Sequence, residues 1–463
     1  MKKKSSLRIV KLLTLSILLL FLFFSCRKEN FIEDPSAKLK FSTDTVLFDT
    51  VFLTYGSVTK KFMVYNDHKK SIKIEDIRLG RGENSPYRIN IDGEPTTKIT
   101  DYTLLPNDSI YIFVDVTINP DDPDLLFIEK DSITFLTNGN MQDIKLVAWG
   151  QDAHFFRDSM LTGNIVWEND KPYVISNHIG VDENSVLNIK EGVEIYSDTR
   201  SAIFVWGTLN VEGSIDEPVL FRGLRLDEYY DDIPGQWYGI YFIRESKDNY
   251  IKNASIRNAT VGVRVDSMSI NSNPNLVLEN VRIENMSSVG ILGYSAHIIG
   301  YNCLVDNCCQ YLVYGDYGGK YEFYHSTFAH SSCVCLSQTE ALAFYNTDNK
   351  ELKNDLDLTI VNSIIWGSKE DEIDMQTTGQ GNFNVFIDHT LIKTDQSDLN
   401  INDNILNQSP KFVNECNYKY SLDTLSNAKD KGAPLTSLPL EVSTDITGKS
   451  RNDGNPDLGA FER

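Results

Sequence analysis

Asn253-Ala254-Ser255-Ile256-Arg257-Asn258 and Asn280-Val281-Arg282-Ile283-Glu284-Asn285 open a series that decides the fold. It continues with Asn302-Cys303-Leu304-Val305-Asp306-Asn307 and His325-Ser326-Thr327-Phe328-Ala329-His330. It ends with Asn362-Ser363-Ile364-Ile365-Trp366-Gly367 and His389-Thr390-Leu391-Ile392-Lys393-Thr394. Each phrase opens on an amide or imidazole, closes on a small or polar residue, and is apolar between. The openings are 27, 22, 23, 37 and 27 residues apart. A period in the twenties with period-2 apolar alternation predicts one coil of short strands per repeat. One coil cannot bury its apolar side alone, so stacked neighbours must share a core. Asn suits a corner because it tolerates left-handed backbone and its amide both donates and accepts. The repeated Asn is therefore expected to form an internal ladder, with His325, His330 and His389 as turn residues within it.

Two flanking stretches extend the pattern. Upstream stand Leu187-Asn188-Ile189-Lys190-Glu191-Gly192-Val193, Gly207-Thr208-Leu209-Asn210-Val211-Glu212-Gly213 and Pro218-Val219-Leu220-Phe221. Downstream stand Asp445-Ile446-Thr447-Gly448-Lys449-Ser450-Arg451 and Pro456-Asp457-Leu458-Gly459-Ala460-Phe461-Glu462. Together with the six phrases they resemble the right-handed, single-stranded parallel β-helix of the pectate-lyase-like superfamily, over roughly residues 160–463. The resemblance implies a fold more than an activity, since one such fold hosts many functions. Residues 155–463 are expected to be the β-helix. Ser409-Pro410-Lys411-Phe412-Val413, Tyr420-Ser421-Leu422 and Asp430-Lys431-Gly432 lead into its closing segment, expected to cap the last coil.

From about 41 to 152 the pattern changes. Short apolar runs such as Phe62-Met63-Val64-Tyr65, Ile110-Tyr111-Ile112-Phe113-Val114 and Ile133-Thr134-Phe135-Leu136 are separated by Asn, Asp, Gly and Pro. Several such strands in about 110 residues predict a β-sandwich. Their order, ending in Ala148-Trp149-Gly150, resembles immunoglobulin-like domains of the major-sperm-protein type. The whole chain is thus expected to be all-β, an Ig-like sandwich followed by a parallel β-helix.

The N-terminus carries Lys2, Lys3, Lys4, Arg8 and Lys11, then an apolar run from Leu12 to Phe24. That run is too short to span a bilayer comfortably. Ser25-Cys26 follows directly and resembles the lipoprotein box of Bacteroidetes-like bacteria. This implies a signal peptide over 1–25 and acyl chains, palmitate among them, on Cys26. Residues 26–40 then form a tether. Lipidation would hold the chain on a membrane, as an outer-membrane lipoprotein at the cell surface or the periplasmic face.

The formal net charge is −21. The first 25 residues carry five basic and no acidic side chains, so their removal takes it to −26. Such a field repels nucleic acid, and beyond the N-terminus the sequence shows no basic cluster to offset it. A polysaccharide or a surface protein is the expected partner of a monomeric chain.

Chemistry-bearing residues are few. Tyr314, Asp316, Tyr317 and Tyr321 would offer sugar-stacking rings and a polar neighbour if they point outward. The Asn346–Asp355 insertion would form a loop beside them. Lys320, Tyr324 and His325 are the nearest approach to a proton-abstracting cluster. Asp227, Glu228, Asp231 and Asp232 are the candidate Ca²⁺ ligands, without the spacing of an EF-hand. Otherwise no cofactor is implied. Neither paired carboxylates nor serine, P-loop or dinucleotide motifs can be placed. The reading is a glycan-binding or cell-surface protein. A polysaccharide lyase or hydrolase and an adhesive structural protein stand as alternatives. Cys303, Cys308, Cys309, Cys333, Cys335 and Cys416 are expected mainly as a stack of buried thiols, with a disulfide as the other possibility.

Overall fold

The computed structural model describes residues 30–52, 56–118, 128–267, 271–331, 335, 337–347, 354–377, 381–438, 442–452 and 454–463. Cys26, Cys333 and most of the Asn346–Asp355 insertion lie outside them. The chain divides into two units, between Gln151 and Asp152.

The first unit is a β-sandwich. One sheet runs Lys40–Phe41, Lys60–Tyr65, Ser109–Val116, Tyr87–Ile91, Glu94–Thr96, each neighbour antiparallel. The other runs Thr45–Phe52, Asn140–Gln151, Ile128–Thr137, Ile72–Leu79, Lys98–Leu104, and its Thr45–Phe52 edge is parallel to its neighbour. Strict alternation, as in Ser109–Val116, turns Ile110, Ile112, Val114 and Val116 inward. They meet Ile74, Phe135 and Leu146 of the facing sheet in one core.

The second unit is the right-handed parallel β-helix, 25 strands joined in continuous parallel register. Each coil contributes to three faces. The first face stacks Val186–Lys190 on Thr208–Glu212, then Asn249–Lys252, Leu276–Glu279, His297–Tyr301 and Gly319–Tyr324. The second stacks Ala202–Val205, Gly239–Phe242, Val261–Val265, Val289–Tyr294, Val313–Asp316 and Leu342–Tyr345. The third carries the phrases of the repeat, from Ala254–Arg257 through Leu304–Asp306 and Ile364–Trp366 to Leu391–Ile392. Inward residues of all three faces, among them Ile251, Ile283, Val313 and Phe328, form one core along the axis.

The opening residue of every phrase is left-handed, with φ of 46° at Asn253, 55° at Asn280, 50° at Asn302, 48° at His325, 53° at Asn362 and 44° at His389. Their amides bond from coil to coil. Asn280 Nδ2 donates to Asn253 Oδ1 at 3.0 Å, and Asn302 Nδ2 to Asn280 Oδ1 at 2.9 Å. Asn362 Nδ2 and His325 Nε2 are 3.1 Å apart.

Two expectations are corrected. The cysteines are not simply a thiol stack: Cys309 and Cys335 are joined by a disulfide, and Cys416 is disulfide-bonded as well. Cys303 and Cys308 are buried free thiols, and burial pushes the former up to about 12. The C-terminal segment, expected as a cap on the last coil, has its described packing on the side of the helix. It lies along the third face, with Tyr420, Ile446, Ala460 and Phe461 packed on Leu304 and Ala329. Leu422, Ala428 and Leu458 pack on Ile364 and Leu391. Leu304, Ala329, Ile364 and Leu391 make the outward side of that face largely apolar from the third phrase on, and the segment covers them.

Candidate functional site

Of the three faces, the second concentrates ring surface. Its strands alternate, so Phe204, Trp206, Tyr241, Tyr294, Tyr314 and Tyr345 are all half-buried rather than internal. The rings follow one another across coils. Phe204 lies 5.8 Å from Trp206 and 5.5 Å from Tyr241, centroid to centroid. The Arg264 guanidinium bridges Tyr241 at 5.6 Å and Tyr294 at 5.2 Å, and its Nε holds Asp266 at 2.5 Å. Tyr314 then stacks on Tyr311 at 5.0 Å and meets Tyr345 edge-on at 5.6 Å. Val261, Val289 and Leu292 form the floor beneath.

Polar groups edge this stripe. Tyr345 OH donates to Asp374 Oδ2 at 2.7 Å. Burial raises the Tyr314 phenol, and Asp316 adds to the shift. Burial likewise raises Tyr345, with the Asp374 hydrogen bond adding to it. Both stay protonated hydroxyls, able to donate and accept. An apolar ring floor with a hydroxyl and carboxylate rim suits a ligand with alternating C–H and O–H surface.

Of the expected ring contacts, Tyr314 belongs to this stripe and Asp316 lies on the next outward position of its strand. Tyr317 is a left-handed corner residue with φ of 56°. Tyr321 is a correction: it points into the core, fully buried, and its hydroxyl donates to Gly293 O at 3.1 Å. The close of the preceding turn at Gly318 and Gly319 sets the phase of the strand and so turns Tyr321 inward. Phe204, Trp206, Tyr241, Tyr294 and Tyr345 were missed. They are separated by unequal turns, so no single offset lines them up in the sequence.

The first face holds Lys320 and Tyr324, both converging on Glu322. Its carboxylate accepts from Lys320 Nζ at 2.7 Å, from Tyr324 OH at 3.2 Å, and lies 3.2 Å from His297 Nε2. The His297 contact, aided by Lys320, outweighs burial and holds the Glu322 carboxyl at about 2. Tyr324 is raised by burial and by Glu322, which makes it a poor base. His325 does not join them. It sits buried in the ladder corner, and burial, reinforced by Arg451, lowers its pKa so that it stays neutral. The three residues are thus not a proton-abstracting group.

The acidic run at 227–232 is partly committed to arginines, with Asp231 on Arg222 at 2.8 Å and Asp232 3.7 Å from Arg257. Among the described residues, no group of three or more His, Cys, Asp or Glu is arranged to hold a metal ion. A hollow of about 650 Å³ lies between the first coils, lined by Glu168, Asp170, Lys190, Glu212 and Glu217 among others. Its lysine is already paired with Glu212. Among the described residues, the one pair of acids on adjacent rungs of the third face is Glu284 and Asp306. Asp306 is wholly buried beside Tyr420 of the C-terminal segment, out of reach of a glycosidic bond.

No protein-family model matches the chain, and no curated protein matches it. Among solved structures it is similar to a family 123 glycoside hydrolase from Clostridium perfringens, at 8% identity and a TM-score of 0.19 over 24% of this chain; the chain spans only 25% of that one. It is also similar to the catalytic unit of the GH87 alpha-1,3-glucanase of Streptomyces thermodiastaticus, at 10% identity and a TM-score of 0.30, covering 72% of this chain and 73% of that one. The Agl-KA catalytic domain gives 10% identity and a TM-score of 0.21, covering 73% and 81%. Similarities at this level assign no activity to the chain, whose parallel β-helix stands on its own strand register.

Proposed function

We propose that this protein is a glycan-binding β-helix protein held at a bacterial membrane surface by acyl chains on Cys26, and that the aromatic stripe of its second face is the binding surface. The observation that carries the reading is the run of half-buried rings from Trp206 to Tyr345, laid across successive coils rather than gathered at one point. Pyranose rings present C–H faces to aromatics, and a linear chain of them matches a surface that repeats coil by coil. Catalysis is not part of the proposal, because the adjacent carboxylates are covered and Lys320 and Tyr324 are tied to Glu322.

The test is native affinity electrophoresis of the chain from residue 27 onward through gels holding a panel of plant, host and bacterial polysaccharides. One or more of them is expected to retard the protein. The double variant Tyr314→Ala, Tyr345→Ala is expected to bind about tenfold more weakly, since truncating an aromatic anchor costs on the order of 1–2 kcal/mol. Equal retardation of the variant, or none of either protein, would remove the stripe from consideration.

A further inference from the structure

The sandwich carries a second ring surface that the β-helix stripe does not account for. Alternation along Ser109–Val116 that sends Ile110, Ile112 and Val114 inward sends Tyr111 and Phe113 outward, 43% and 37% exposed. Their rings are 6.2 Å apart with planes only 29° from parallel, a platform on one strand. The neighbouring strands complete it. Lys61 and Asn90 flank Phe113 in register, and Met63 lies opposite Tyr111. The Lys61 ammonium sits 5.3 Å from the Tyr111 ring centroid. Arg88 stands opposite Asp115, next along the same outward row. The Lys61 ammonium thus stands over the rings, Arg88 faces Asp115 beside them, and Asp92, whose N–H donates to Tyr111 O at 3.0 Å, follows at the end of the neighbouring strand. The meeting of a cation with the rings was invisible in the sequence because Lys61 and the two rings come from separate strands.

Flat rings bind the apolar face of a pyranose, and cations beside them select carboxylates through charge-assisted hydrogen bonds. We infer that the outer face of this sheet, centred on Tyr111 and Phe113 and rimmed by Lys61 and Arg88, binds polysaccharides that carry uronate carboxylates. The inference is independent of the stripe on the β-helix, being drawn from other residues in another unit.

The experiment is titration calorimetry of the chain from residue 27 onward against polygalacturonate and neutral dextran, at low and high salt. Phosphatidylglycerol vesicles serve as a separate probe. Polygalacturonate is expected to bind, more weakly at high salt. Tyr111→Ala with Phe113→Ala is expected to weaken it about tenfold, as is Lys61→Gln with Arg88→Gln. Met141→Ala, an exposed side chain on the other sheet of the sandwich, should leave this affinity unchanged. All four positions are surface residues, and circular dichroism will confirm that the variants fold. Absence of polygalacturonate binding would overturn the inference. So would unchanged affinity in both double variants, or an equal loss in the Met141 variant. Binding to the vesicles alone would replace it with a membrane-facing role.

Discussion

Asn302 shows how one side chain serves backbone, ladder and cover together. Its φ of 50° lies where most L-residues are strained by about 1–2 kcal/mol. Its amide donates to Asn280 and, at 2.7 Å, to Thr444 O, while its Oδ1 accepts from Arg451 at 3.0 Å. Asn302→Ala is expected to destabilise by about 3 kcal/mol, combining backbone strain with buried groups left unpaired. Asn302→Gly recovers the backbone part. Urea unfolding of both variants checks this, and equal losses would show that the left-handed corner contributes nothing. The corner was legible in the sequence because few residue types tolerate it. Asp306 was not, since Arg257 and Glu284 hold charges at the same place in earlier phrases and the Tyr420 beside Asp306 is distant in the sequence. Burial, with Glu284 adding to it, holds the Asp306 carboxyl well above the usual carboxylate range. The folded state therefore keeps a proton that the unfolded chain has lost above about 4. The stability this group contributes is present below that pH and declines as pH rises toward the folded value. Asp306→Asn is expected to raise the thermal midpoint at pH 8 and leave it nearly unchanged at pH 3. A lower midpoint at pH 8 would mean that the ionised form is stabilised.

The outward side of the third face explains why the C-terminal segment is where it is. In the repeat, the third residue of each phrase points outward, and it changes from Ser255 and Arg282 to Leu304, Thr327, Ile364 and Leu391. From the third phrase on, that face cannot remain in water without exposing Leu304, Ile364 and Leu391. The closing segment answers this with apolar side chains and with hydrogen bonds to the ladder. Ala433 N donates to Asn362 Oδ1 at 2.7 Å, and Ala460 N to Thr327 Oγ1 at 2.9 Å. Arg451, fully buried, ties the segment to itself through Glu462 at 3.0 Å and to the helix through Asn302. The repeat period and its corners were legible because they recur. The segment's position was not, because it depends on a change between repeats rather than on what they share, although that change is present in the phrases themselves. Tyr420 is the central anchor, fully buried and edge-on to Phe412 at 5.2 Å. Tyr420→Ala is expected to cost about 3–5 kcal/mol and to speed amide exchange in residues 409–463 and in Thr327–Ala329 while sparing the first face. Protection that falls evenly over all coils would mean the segment is no separate layer.

At the scale of the molecule, two kinds of cooperativity follow from two kinds of sheet. The sandwich core and the helix core share no residue, and no strand of the sandwich sheets enters the 25-stranded helix. The sandwich is closed on itself by pairings distant in sequence. Stability of the helix is built from nearest-neighbour coil interfaces, with the Cys309–Cys335 disulfide linking residues 26 apart. A chain of this kind departs from a single two-state transition. Scanning calorimetry is therefore expected to give two endotherms. Phe135→Ala, which removes a fully buried ring that packs edge-on to Phe62 at 6.5 Å, should lower only one of them. The loss is expected to be about 3–5 kcal/mol. Reduction of the disulfides should lower only the other, because the sandwich has no cysteine. The two perturbations act on different terms, core packing in one case and chain entropy in the other. A single endotherm moved by both would show that the units unfold as one body, and the energetics of the coils would then be inseparable from those of the sandwich.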